Sequence, residues 1–131
     1  MTNSLIIASA QLNPTVGDIE GNVSKILSAR EVAREKGADL VVCSELCVSG
    51  YPPEDLVLKN AFLEAVRTGV STLAKKTDDG GPGLIVGAPW VGENGRRYNS
   101  ALILDAGEIV TRRDKCDLPN YGVFDEKRIF A

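Results

Sequence analysis

Hydrophobic and polar positions alternate along the chain in two distinguishable rhythms. Residues 5–12 open with the β-branched pair Ile6-Ile7 and stop at Asn13-Pro14, the pattern of a strand ended by a turn. From Asp18, a candidate N-cap, Ile19, Val23, Ile26, Leu27, Arg30 and Ala33 recur at three- and four-residue spacing until Gly37, which predicts a helix. Residues 38–44 form a short apolar run centred on Leu40-Val41-Val42-Cys43, as expected of a strand covered on both faces. Ser49-Gly50-Tyr51-Pro52-Pro53 reads as loop, because the prolines lack backbone donors and disfavour helix before them. A second helix is expected from a cap at Asn60, its stripe made by Phe62, Leu63, Val66, Val70, Leu73 and Ala74. The Asp78-Asp79-Gly80-Gly81-Pro82-Gly83 stretch ends it.

Beyond this point the period shortens. Residues 84–89, 101–104 and 109–111 read as strands, separated by the turn signals Glu93-Asn94-Gly95 and Asp105-Ala106-Gly107. The order β-α-β-α-β-β-β predicts an α/β domain with a mixed sheet and helices on one or both faces. The tail from residue 114 is polar and irregular, with a turn at Pro119-Asn120-Tyr121-Gly122 and an apolar ending, Ile129-Phe130-Ala131. That ending reads as a chain interrupted before its next strand.

Composition narrows the chemistry. At 131 residues the chain can bury about two-thirds of its unfolded surface, enough for one core. A net charge of −3 and short, scattered basic pairs argue against nucleic acid or an anionic membrane as partner. No apolar run approaches the ~20 residues of a membrane-spanning helix. Cys43, Cys47 and Cys116 have neither disulfide-framework nor zinc spacing, and no signal peptide precedes the first strand, so a cytoplasmic protein is expected. The glycine-rich turn at residues 80–83 lacks the Lys-Ser or Lys-Thr of a phosphate loop. The acidic pairs Asp78-Asp79 and Asp125-Glu126 lack a calcium-loop pattern, and Trp90 reads as a packing residue.

The chain contains no histidine, which removes Ser-His-Asp and Cys-His nucleophile pairs and His-ligated metals. Glu45 follows a predicted central strand at its carboxyl end, where α/β folds place ligand crevices, and Lys115 follows the last strand. Alone, Glu45 reads equally as a solvated strand-end acid, and Lys115 reads more readily as a surface ammonium. Together they can form a base and an electrophilic stabiliser for a thiol nucleophile: the glutamate accepts the thiol proton and the ammonium holds the oxyanion formed on an attacked amide. The three cysteines read instead as packing residues or bystanders. Tyr121, on its turn, presents an aromatic ring of the kind that lines pockets.

The segments Cys43-Ser44-Glu45-Leu46, Ser49-Gly50-Tyr51-Pro52-Pro53-Glu54-Asp55-Leu56, Tyr98-Asn99-Ser100-Ala101 and Lys115 followed by residues 118–128 resemble the nitrilase (carbon-nitrogen hydrolase) superfamily. Within it they are similar to the N-terminal glutaminase domain of glutamine-dependent NAD+ synthetases. The long matches around Tyr51 and Tyr121 occur in order and carry most of this resemblance.

The resemblance implies an αββα sandwich and a Glu-Lys-Cys triad that hydrolyses glutamine and passes ammonia to a synthetase domain. Glu45 matches the general base, Lys115 the triad lysine and Glu126 a second, supporting glutamate. Tyr121 matches a glutamine-binding tyrosine, and Tyr51 is expected near the pocket entrance. None of the three cysteines matches the nucleophile, which the family places beyond the lysine. Residues 1–131 are therefore expected to be the N-terminal part of such a domain, inactive alone. The rest of the domain and the synthetase domain, with its ATP and Mg2+, would lie elsewhere in a homo-oligomeric parent protein. No cofactor or metal is expected in this segment. The competing readings are a stand-alone small-amide amidase and a non-catalytic interaction fragment.

Overall fold

A computed structural model describes residues 3–121 and 124–131. The elements are β1 (Ile7–Ser9), α1 (Ile19–Glu35), β2 (Leu40–Val42), α2 (Asn60–Lys76), β3 (Gly83–Val91), β4 (Arg97–Asp105) and β5 (Glu108–Asp114), with short 3-10 turns at Glu54–Leu58 and Glu126–Arg128. The five strands form one sheet in the order β1-β2-β3-β4-β5. The first two pairings are parallel and the last two antiparallel. This is the mixed α/β sheet expected from the change of rhythm.

Both helices cover the same sheet face. Ile19, Val23, Ile26 and Ala33 of α1 and Val66, Val70, Leu73 and Ala74 of α2 pack against Val41, Leu84, Val86, Ala88, Trp90, Leu102 and Leu104. The alternate strand residues, among them Ile85 and Ala101, face the opposite side and line an open groove with Glu45 and Lys115. Period-2 alternation thus assigns one face of the sheet to the core and the other to the candidate site.

Local chemistry explains most element ends. The Asp18 carboxylate accepts a hydrogen bond from the Gly21 N–H at 3.0 Å, capping α1, and Gly37 follows the helix at φ +79°. Asn60 does not cap α2: it is the first helical residue, and Lys59 stands at the cap in extended conformation without a side-chain bond. Strands β1 and β2 are shorter than expected, three residues each, because their parallel pairing spans only that length. Strands β3, β4 and β5 are longer, since the antiparallel ladders continue through Arg97, Tyr98 and Asn99 on one strand and Arg112 and Arg113 on another. Pro89 is tolerated in β3 because the carbonyl of its partner Asn99 bonds toward β5, so Pro89 presents its nitrogen on the side where β2 has already ended.

Arg30 lies in the apolar stripe of α1 and is 4% exposed. Its guanidinium donates to both carboxylate oxygens of Asp79 at 2.9 and 2.7 Å, and its Nε donates to the Pro82 carbonyl at 2.9 Å. The guanidinium holds the Asp79 carboxyl well below the usual carboxylate range. Asp79 therefore belongs to a clasp between α1 and the turn after α2, rather than to a cation site. Trp90 packs as expected, 7% exposed, with the Arg67 guanidinium 4.5 Å from its ring centre.

A second apolar cluster joins Leu46, Val57, Leu63, Ile129 and Phe130. The apolar ending is thus packed, and the Ala131 N–H donates to the Arg97 carbonyl at 2.8 Å. This cluster fixes the segment that carries Glu126 beneath the turn that carries Glu45. The expected turn at Pro119-Asn120-Tyr121-Gly122 ends on a residue outside those described. Among the described residues no helix is long and apolar enough to cross a membrane.

Candidate active site

Glu45 sits in the turn after β2, at the carboxyl ends of the parallel strands. The turn is tight. Leu46 takes φ +53°, a left-handed conformation costing a non-glycine residue about 1–2 kcal/mol. Its side chain is 1% exposed in the second cluster, a burial that contributes roughly 2 kcal/mol in the opposite direction. Underneath, the turn rests on the backbone of Gly87: the Val48 N–H donates to the Gly87 carbonyl at 3.1 Å, and the Gly87 N–H donates to Cys47 Sγ at 3.4 Å.

Lys115, directly after the edge strand β5, reaches the same place along the open face of the sheet. Its Nζ donates to Glu45 Oε1 at 2.7 Å and to Glu126 Oε1 at 3.2 Å. Glu126 is 6% exposed, so Lys115 bridges one accessible carboxylate and one buried one. Burial disfavours the Lys115 ammonium, but the bonds to Glu45 and Glu126 outweigh it and raise the lysine above its ordinary value. A lysine raised in this way carries its charge through neutral pH, which suits an oxyanion partner and not a base.

The groove beside the pair is lined by Cys43, Ser44, Gly87, Asn99 and Ala101 as well as Glu45 and Lys115. Asn99 was visible in the Tyr98-Asn99-Ser100-Ala101 motif without any role. It is 4% exposed, and its side-chain Nδ2 donates to Glu45 Oε1 at 2.7 Å. The available signal was a polar pair, Asn99-Ser100, directly before an apolar strand core. The neighbouring Ser100 instead donates to Asp114 Oδ1 at 2.6 Å.

The tyrosines occupy different settings. Tyr51 lines a small cavity of about 70 Å³ with Leu46, Phe124 and Glu126. Burial, followed by the nearby Glu126 and Glu45 carboxylates, raises its phenol above the ordinary value. Tyr121 is 72% exposed, with its ring edge-on to Phe124 at 5.7 Å, and it lines neither the groove nor the cavity.

The three thiols occupy three different settings. Cys43 borders the groove, but the neighbouring Cys47 thiol, followed by burial, raises its own thiol far above the ordinary range. Cys47 is 1% exposed, with Sγ against the Gly87 backbone. Cys116 is exposed and donates to the Asp114 carbonyl at 3.6 Å. Among the described residues no three His, Cys, Asp or Glu side chains are grouped to hold a metal ion.

Known proteins with the same frame extend the picture. The chain is 44% identical over 126 residues to a glutamine-dependent NAD(+) synthetase of Thermotoga maritima, covering 96% of this chain and 22% of that protein. The structure of a glutamine-dependent NAD+ synthetase from Acinetobacter baumannii, in complex with ADP, superposes with a TM-score of 0.89 at 36% identity, covering 95% of this chain and 23% of that one. A variant of the amidase from Nesterenkonia sp. AN1, showing the result of Michael addition of acrylamide at its active-site cysteine, superposes with a TM-score of 0.77 at 27% identity, covering 98% of this chain and 49% of that one. The chain thus spans under a quarter of the synthetases it matches and about half of the amidase. The carbon-nitrogen hydrolase family model matches residues 6–131, and the chain belongs to that family.

Proposed function

We propose that residues 1–131 form the N-terminal part of the glutaminase domain of a glutamine-dependent NAD+ synthetase. One observation carries the reading most directly: Glu45 and Lys115, 70 positions apart, meet in a 2.7 Å ion pair on the open face of the sheet. In the reaction, the Glu45 carboxylate takes the proton of a thiol contributed from outside this segment. The sulfur bonds to the glutamine amide carbon, and the carbonyl electron pair moves onto oxygen beside the Lys115 ammonium. As the oxyanion collapses, the C–N bond breaks and Glu45 returns the proton to the leaving nitrogen, releasing ammonia. Water then cleaves the thioester with Glu45 again as base. Glu126 holds Lys115 in place, and Tyr51 and Tyr121 contribute to binding glutamine.

On this reading the isolated 131 residues do not turn over. ATP and Mg2+ act in the synthetase domain, where ammonia amidates deamido-NAD, and the whole protein is a cytoplasmic homo-oligomer. The likeness to the Nesterenkonia amidase favours a second reading, a small-amide amidase on the same triad. The test compares ammonia release from glutamine and from acetamide by the full-length protein, with and without ATP and deamido-NAD. Glutamine hydrolysis accompanied by NAD+ formation is the expected result. Acetamide hydrolysis with no NAD+ formed from glutamine would favour the amidase and overturn the synthetase reading.

A further inference from the structure

Asn99 touches both members of the ion pair through different groups. Its backbone carbonyl accepts the Lys115 N–H at 2.8 Å, and its side-chain Nδ2 donates to Glu45 Oε1 at 2.7 Å. The residue is buried in β4, opposite Pro89, so its own position is set by the ladder and not by the groove. Among the described residues two donors reach Glu45, Asn99 Nδ2 and Lys115 Nζ, and both converge on Oε1. Neither reaches Oε2.

A carboxylate rotates easily about its last side-chain torsion, whose energy profile is broad and roughly two-fold. With Lys115 alone, either oxygen could take the ammonium, and the other would point in no fixed direction. A second donor on the same oxygen, fixed by a strand, selects one orientation. It also withdraws electron density from Oε1, leaving Oε2 with the more available lone pairs. We propose that Asn99 is a positioning residue that fixes Glu45 so that Oε2 receives the thiol proton. This rests on the proposed role of Glu45 as general base and specifies the atom through which it acts.

Glutaminase kinetics of the full-length protein test the inference, with rates expressed per active site titrated by an electrophilic glutamine analogue so that misfolded protein is not counted. Asn99→Ala is expected to lower kcat by about 10- to 100-fold while KM changes less than about 3-fold, the pattern of a misaligned base with intact substrate binding. Asn99→Asp, which preserves size, is expected to lose more, because it sets a second carboxylate against Glu45. It also carries the test should the alanine variant fail to fold. Glu45→Gln run in parallel separates the two levels. Activity retained by Glu45→Gln would overturn the underlying role of Glu45. Loss in Glu45→Gln with unchanged kcat per site in both Asn99 variants would overturn only the positioning role of Asn99.

Discussion

Replacing Lys115 with Met is expected to lower glutaminase kcat of the full-length protein by about 10³-fold, with a much smaller change in KM. Methionine preserves the length of the side chain but removes the charge that, in the proposed reaction, faces the oxyanion, and loss of one such donor removes roughly 3–4 kcal/mol of transition-state stabilisation. The same change leaves the buried Glu126 carboxylate without the ammonium that now bonds it. Stability should fall by about 2 kcal/mol, between the values for exposed and buried ion pairs. Because the folded-state pKa of Lys115 is raised, its contribution to stability is fully present below the ordinary lysine value of 10.5 and is lost as pH rises through the folded value. The wild-type protein should therefore lose this contribution only in strong alkali, and Lys115→Met should remove that part of the pH dependence. Stopped-time ammonia assays and thermal melts from pH 7 to 11 measure both effects. A variant retaining more than a tenth of wild-type kcat would contradict the role given to the lysine.

The second large effect is expected at a residue without functional groups. A Cβ added to Gly87 would lie 2.4 Å from the Leu46 nitrogen, 2.9 Å from the Ser44 carbonyl oxygen and 3.0 Å from the Glu45 carbonyl carbon. All three are backbone atoms, so no rotamer change relieves the contact. Either β3 or the turn bearing Glu45 must move. Gly87→Ala should destabilise the fold by about 3 kcal/mol, the upper end for overpacking. The surviving folded fraction should lose about 100-fold in kcat, because a displacement of about 1 Å is enough to misplace the base. Chemical denaturation together with kcat per titrated site separates the two. Wild-type values for both would mean that the close approach of Gly87 does not hold the Glu45 turn.

These two predictions also mark what can be read along a chain and what cannot. The stripe from Ile19 to Ala33 reports α1 and its buried face directly, because one helix face is a local property. The ends of β4 and β5 are not local: Arg97, Tyr98 and Asn99 are polar, and only pairing with β3 and β5 makes them strand. Arg30 appears as an interruption of its stripe until Asp79, 49 positions away, is brought beside it. Glu45 is visible as a carboxylate at a strand end, and the absence of histidine gives it chemical interest. Its contact with Lys115 spans 70 positions: the missing histidine makes the pair chemically attractive, and likeness to a known family strengthens the expectation that the two meet. Gly87 and Asn99 carry no local sign of importance at all, since their value lies in what approaches them: a turn 40 positions upstream and a carboxylate 54 positions upstream.

In the proposed reaction these residues supply a base and an oxyanion partner to a thiol that is none of Cys43, Cys47 and Cys116. Its most direct test treats the full-length protein with a glutamine analogue bearing an electrophile at the amide position and locates the adduct by peptide mass spectrometry. A single adduct is expected, on a cysteine outside residues 1–131, and its formation should slow by at least about 100-fold in Glu45→Gln. An adduct on Cys43, Cys47 or Cys116 that tracks the loss of activity would contradict it.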